Sequence, residues 1–246
     1  MTARTFWGDR MKVVLPDVVS AAIYQYGYFE EGMTRFILTH LRPGMTFLDV
    51  GAHMGYFSLL AARVVGDTGS VHSFEPTPRT FKVLRENTAG VRNISVNNVA
   101  VFREDKQLTL TDYGFRRPAF NTLFDAAGVG AVGDEGEVTR YDVKATSIDN
   151  YVAATGARPD FIKIDAEGAE EDIVRGMCDT IKRLQPILTL EVGDDNQQVM
   201  RNAVVVEELT RNGYQAMAFE HGNLVEHQPR QRYGADNIFL IPQTRA

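Results

Sequence analysis

Acidic side chains gather at three places in this 246-residue chain where a strand would give way to a turn. Asp165-Ala166-Glu167-Gly168-Ala169-Glu170 follows the apolar run Phe161, Ile162 and Ile164, and Glu191 closes the run 187–190. Glu75 ends another, 70–74. A carboxylate at a strand end can take a proton from an acceptor, receive both hydroxyls of a diol, or help hold a hard cation. His53, between Gly51 and Gly55, adds an imidazole whose ordinary pKa suits proton transfer near neutrality. A histidine that caps backbone or simply faces solvent would look the same in sequence.

Positioning these groups takes alternating strands and helices. Met45, Phe47, Leu48 and Val50 predict a strand buried on both faces. Gly51 lets the chain turn sharply, and Gly55 lets a helix carrying Phe57, Leu60 and Val64 start close to the sheet. The D-x-G-x-x-x-G spacing from Asp49 is neither the G-x-G-x-x-G of a pyrophosphate turn nor a P-loop. Thr77 as cap and Pro78 at the first helical position start the next helix, buried through Phe81 and Leu84. Glu75 then sits near the spacing at which an acid ending the second strand meets a ribose. A third strand, 94–97, brings Asn98 to where such a sheet would present groups to an adenine edge.

Later strands are expected at 108–111, 138–145, 161–164, 187–190, 214–219 and 237–241, with helices over 31–41, 148–155, 179–184 and 196–212. The last helix would bury Val199, Met200, Ala203 and Val206. Gly128, Gly130, Gly133 and Gly136 suggest a mobile loop, either a lid or surface elaboration. The pattern predicts an α/β fold with a seven-stranded, mostly parallel sheet, one strand antiparallel and helices on both faces. Residues 1–43 form an N-terminal extension with a helix, expected to cap the substrate, and 44–246 the main domain, with an insertion at about 102–146. Within the extension, 1–30 reads as irregular. Tyr24, Tyr26, Tyr28 and Phe29 either line a substrate mouth or pack the extension down.

Composition narrows the function classes. With 44% hydrophobic residues the chain can bury a full core, and a net charge of −6 disfavours a nucleic-acid partner. The single cysteine, Cys178, excludes an internal disulfide, fits a reducing compartment and is expected to be a buried small hydrophobe. Asp9, Arg10, Pro16 and Asp17 interrupt any leader-like apolar run. No stretch approaches the roughly 20 apolar residues of a membrane span. A soluble cytoplasmic protein without a membrane partner is expected; oligomeric state is not legible.

The blocks YFEEGMTRFILTHLRPGMTFLDVGAHMGYFSLLAA, VHSFEPTPRTFKVLRENT, IKIDAEGAEEDIVRGM and LTLEV together resemble the FkbM family of S-adenosylmethionine-dependent methyltransferases. The resemblance covers about residues 24–193, with a weaker match at DNIFLIP, and DAEGAE is its most discriminating part. It implies a class I Rossmann-like fold, S-adenosylmethionine as cofactor, and methyl transfer mostly to hydroxyl oxygens of natural products or sugars. In this sequence's numbers the cofactor contacts so implied are Asp49, Gly51, Ala52, His53, Gly55, Tyr56, Glu75, Asn98 and Asp165.

Methyl transfer to an alcohol is an in-line displacement that gains most from holding the reactants about 3–3.5 Å apart. The acceptor must also lose a proton, which invites a base. Glu167 is the expected acid nearest the acceptor, Asp165 a positioning group that also touches cofactor, and His53 a second candidate base; Glu170 is expected as helix-surface charge. Mg²⁺ on Asp165, Glu167 and Glu191 is an alternative that is not assigned. The competing functions are a S-adenosylmethionine-binding scaffold without turnover, and a methyltransferase acting on nitrogen or on a macromolecule.

Overall fold

The computed structural model describes residues 1–114, 138–192, 196–228 and 236–244. The extension starts with an antiparallel pair, β1 (Thr2–Arg4) and β2 (Arg10–Lys12), followed by α1 (Val18–Tyr26) and α2 (Glu31–His40). Residues 1–30 are thus structured rather than irregular. Asp17 accepts from the Ser20 backbone N–H at 2.7 Å as the cap of α1, and Gly27 ends that helix at φ +78°. Three-residue strands and a nine-residue helix are too short for periodicity to reveal.

The main sheet begins with a parallel run: β3 (Thr46–Val50), α3 (Tyr56–Val65), β4 (Ser70–Phe74), α4 (Pro78–Asn87) and β5 (Ile94–Asn97). Thr77 caps α4 by position but without a side-chain cap bond, and that helix buries Val83 and Leu84 while Phe81 is only half-buried. The chain then leaves the sheet. β6 (Ala100–Val101), β7 (Lys106–Asp112) and β8 (Thr139–Thr146) make a separate three-stranded sheet, and the four loop glycines lie outside the described residues. It re-enters through α5 (Ile148–Thr155), β9 (Phe161–Ile164), α6 (Glu170–Arg175), α7 (Cys178–Leu184), β10 (Ile187–Val192) and α8 (Asn196–Arg211). β11 (Tyr214–Glu220), β12 (Asn223–Glu226) and β13 (Asp236–Pro242) complete it. The side chains of Val199 and Met200 also lie outside the described set.

The sheet order is β12-β11-β13-β10-β9-β3-β4-β5. The expected seven-stranded, mostly parallel sheet is present: β13 runs antiparallel between β10 and β11. Between the expected strands at 214–219 and 237–241, β12 pairs antiparallel with β11 and adds an eighth strand at the edge. Successive residues of a strand face opposite sides. Leu48 and Val50 join one apolar cluster with Ile162, Ile164, Leu188 and Leu190. Phe47 and Phe161 join the other, where α2, α3 and the extension pack. On that second face the next slots along are not apolar. Asp49 and Lys163 fill them, side by side in register across β3 and β9.

Candidate active site

The carboxyl ends of β3, β4, β9 and β10 open on one cleft, which the extension walls off with Met11, Val19, Phe29 and Glu30. Gly51 starts the turn after β3 at φ +74°, and Gly51 and Ala52 both donate backbone N–H bonds to Phe74 O, at 3.0 and 2.9 Å. A Cβ on Gly51 would lie 1.7 Å from the carbonyl oxygen of Asp165, so the turn presses directly on the loop after β9. Gly55, at φ +94°, packs against Leu84 and starts α3. These two positions need glycine for conformation and for space.

Behind the turn sits a buried polar core. Asp49 is fully buried; its Oδ2 accepts from Ser58 Oγ at 2.6 Å and its Oδ1 lies 3.6 Å from Lys163 Nζ. Lys163, 1% exposed, also donates to Asp165 Oδ2 at 3.0 Å and to Gly51 O at 3.3 Å. Burial works to strip its proton, but the charges of Asp165, Asp49 and Glu30 prevail and hold its pKa above the ordinary lysine value. Burial likewise raises Asp49, more than Lys163 and Ser58 lower it. Lys163 thus ties the first turn to the second acidic block. Sequence reasoning passed over it; the signal was a lysine within the otherwise apolar Phe161–Ile164 strand.

The acids divide by environment. Asp165 is opposed by burial, yet Lys163 and a hydrogen bond from Glu191 keep it below the ordinary aspartate value. Glu191 is pushed up to about 11 by the Asp165 charge and by burial, so it stays protonated and donates that bond. Glu167, at φ +49° in the loop after β9, is pushed up to about 8 by burial and by the charges of Asp165 and Glu170. Glu30, in the left-handed region at φ +43°, accepts from Asn237 Nδ2 at 3.1 Å, and burial raises its pKa. Oxygens of Asp165, Glu167 and Glu191 come within 4.8 Å of one another. Carboxylate oxygens this close are the donors a hard cation takes, and nothing beyond this spacing supports Mg²⁺.

Glu75 stands at the end of β4 as expected. Both of its oxygens already serve the fold: Oε2 accepts from His53 N–H at 3.0 Å and Oε1 from Thr77 N–H at 2.9 Å. Burial raises its carboxyl to about 7. Each carboxylate oxygen has a second lone pair, so the group retains acceptor capacity toward a diol. His53 and Tyr56 also line the cleft. The Tyr56 hydroxyl is 3.2 Å from Thr34 Oγ1, and burial raises its pKa. Asn98 is not among the lining residues; its amide donates to Glu75 O at 2.8 Å and Pro76 O at 3.1 Å, bracing the loop. Val99, Ala100 and Val101 line that end instead.

Two expectations are corrected. Glu170 is 1% exposed, not surface charge: its Oε1 accepts from the backbone N–H groups of Ala166 and Gly168, at 3.0 and 3.2 Å, and shapes the Glu167 loop. Cys178 is exposed, because it falls on the outer side of the first turn of α7. Of the aromatic group, Tyr24, Tyr26 and Tyr28 are exposed while Phe29 lines the cleft.

A glycine turn, an acid at the end of β4 with acceptor capacity toward a diol, and further carboxylates along the cleft, all on a sheet of this order, suit S-adenosylmethionine; the fold is that of the class I S-adenosylmethionine-dependent methyltransferases. Residues 49–216 match the methyltransferase FkbM domain, and the chain belongs to that family. It is 30% identical over 190 residues to 31-O-demethyl-FK506 methyltransferase FkbM of Streptomyces tacrolimicus, covering 65% of this chain and 71% of that one. It is 28% identical over 152 residues to Methyltransferase 1 of Beauveria bassiana, where the match covers 56% of this chain and 60% of the fungal protein. The methyltransferase FkbM structure from Methylobacillus flagellatus superposes with a TM-score of 0.52 at 15% identity, over 84% of this chain and 50% of that one. That last likeness concerns the fold.

Proposed function

We infer that the protein transfers the methyl group to a hydroxyl oxygen of a small molecule, a natural product or sugar, with Glu167 as the base. Bound S-adenosylmethionine supplies an electrophilic methyl on a cationic sulfur. Glu167 carries the reading: it borders the cleft on a constrained turn, and its carboxyl, pushed up to about 8, is a stronger base than an ordinary glutamate. It would take the acceptor's proton as the new C–O bond forms and the S–CH₃ bond breaks, with neutral S-adenosylhomocysteine as the leaving group. Asp165, held charged by Lys163, orients the neighbouring groups, while His53, in the turn after β3, lines the same cleft as a cofactor contact.

The relative named for 31-O-demethyl-FK506 supports an oxygen acceptor on a natural product. Residues 1–43 serve as the substrate cap, a role supported by the cleft contacts of Met11, Val19, Phe29 and Glu30. The acidic lining argues for a small molecule over nucleic acid. The free thiol of Cys178 suits a cytoplasmic setting. Replacing Glu167 by Gln tests the reading: turnover on a hydroxylated acceptor should fall by about 10²–10⁴ while S-adenosylhomocysteine affinity stays within a few-fold. Unchanged turnover would remove Glu167 from the mechanism.

A further inference from the structure

Three buried polar atoms beside the glycine turn lack a hydrogen-bond partner among the described residues: Asp17 Oδ1 and both ring nitrogens of His53. Nitrogens and oxygens so placed are destabilising unless a ligand or a shift completes them. Asp17 Oδ1 lies 3.7 Å from His53 Nε2, and Asp17 is fully buried, its other oxygen occupied by the Ser20 N–H. His53 is itself held at φ +49° with its backbone N–H fixed on Glu75. The extension is stapled to this turn at the next residue as well: Ser20 Oγ meets Met54 Sδ at 3.3 Å, and Asn87 at the end of α4 bridges the two, donating to Met54 O at 2.8 Å and to Lys12 O at 3.0 Å.

The cofactor carries an α-carboxylate as well as its cationic groups. The described cleft lining offers that anion two basic side chains, Lys163 and His53, against Glu30, Glu75, Asp165, Glu167 and Glu191. Lys163 is engaged by Asp49, Asp165 and the Gly51 carbonyl. Both His53 nitrogens are buried without a hydrogen-bond partner among the described residues, while the side chain as a whole keeps 24% of its surface exposed. We propose that Asp17 is a positioning residue that holds His53 as an imidazolium, with Nε2–H on Asp17 Oδ1 and Nδ1–H donated to the carboxylate of the bound cofactor.

The inference rests on the cofactor and not on the choice of acceptor. In the free protein, burial pushes His53 below the ordinary histidine pKa, and the charge of Lys163 lowers it further, while Asp17, Asp165 and Asp49 raise it. Glu75 faces its backbone N–H rather than the ring. A carboxylate arriving at Nδ1 favours the protonated ring, so binding draws one proton from solvent onto His53 near neutral pH.

The test is titration calorimetry at pH 7 in buffers of different ionisation enthalpy, with S-adenosylhomocysteine and with 5′-methylthioadenosine, which lacks the amino-acid portion. Wild type should take up more protons with S-adenosylhomocysteine than His53→Asn does, by up to one per ligand; asparagine tolerates the left-handed backbone. Asp17→Asn keeps a helix cap, since asparagine caps as well as aspartate. It should lose most of that uptake and bind S-adenosylhomocysteine about 10-fold more weakly, with 5′-methylthioadenosine affinity unchanged in both variants. Equal proton uptake in wild type and His53→Asn would overturn the assignment, as would equal weakening of both ligands in Asp17→Asn. Failure of both ligands to bind wild type would overturn the cofactor pocket itself.

Discussion

Gly51 and Asp165 touch through their backbones, with room for no Cβ between them: one built on Gly51 would lie 1.7 Å from the Asp165 oxygen. The two acidic turns, far apart in sequence, thereby become one wall of the cleft. Gly51→Ala should displace the loop of Asp165 and Glu167 and weaken S-adenosylhomocysteine binding by at least 100-fold. Gly156→Ala is the control. It adopts a similar φ of +73° with nothing within 4 Å, so it should cost only about 1–2 kcal/mol of stability and leave binding intact. Calorimetry and denaturant unfolding on the pair separate steric contact from backbone strain.

Lys163 balances two buried carboxylates. Lys163→Met conserves much of the volume but leaves Asp49 and Asp165 facing each other unneutralised. Removing one partner of a buried ion pair typically costs about 3–5 kcal/mol. The expected result is a loss of that size in urea unfolding at pH 7, partly recovered at pH 5, where the acids can take up protons. A loss below 1 kcal/mol would mean that the acids are not charged together.

Glu170 acts on the neighbouring loop rather than on the reaction. Glu170→Ala removes the acceptor of the Ala166 and Gly168 N–H groups, and should cost about 1–3 kcal/mol. Because the loop carries Glu167, turnover should fall together with stability, whereas Glu170→Gln, which retains an accepting oxygen, should recover most of both. Equal damage from Ala and Gln would show that charge, not the accepted bonds, matters.

The pH dependence has a defined sign. Glu167 must be deprotonated to act as a base, so the transfer rate should climb with pH through about 8 and level off above it. Stability runs the other way. A carboxyl held near 8 in the fold against an ordinary 4.5 keeps its proton between those values, so its contribution is complete below about 4.5 and lost as pH rises through 8. Glu167→Gln does not titrate and should therefore gain on wild type between pH 6 and pH 9, on the order of 2 kcal/mol after allowance for partial solvent access. A pH-independent difference between the two proteins would contradict the shift.

Legibility in sequence followed the strength of local signals. The turn at Gly51, the acid ending β4 and the DAEGAE block were legible because strand-end glycines and carboxylates stand out against apolar runs. Lys163 was not, since an alternating slot in an apolar strand gives no hint that Asp49 lies beside it on the neighbouring strand. Glu170 looked like surface charge because its backbone partners, Ala166 and Gly168, exist only once the loop has closed. Asp17 was visible only as an interruption of an apolar run; its place beside His53 depends on how the extension folds back over the turn. Asn98 had the right position in the chain but spends its amide on the backbone.

The most direct test of the account is to supply S-adenosylmethionine carrying a ¹³C-methyl group with a panel of hydroxylated macrolides and sugars, and to read the product by carbon NMR. The account predicts a methoxy carbon, formed by wild type and reduced by about 10²–10⁴ in Glu167→Gln with S-adenosylhomocysteine binding preserved. A methyl carbon on nitrogen or carbon, or full activity of Glu167→Gln, would contradict it.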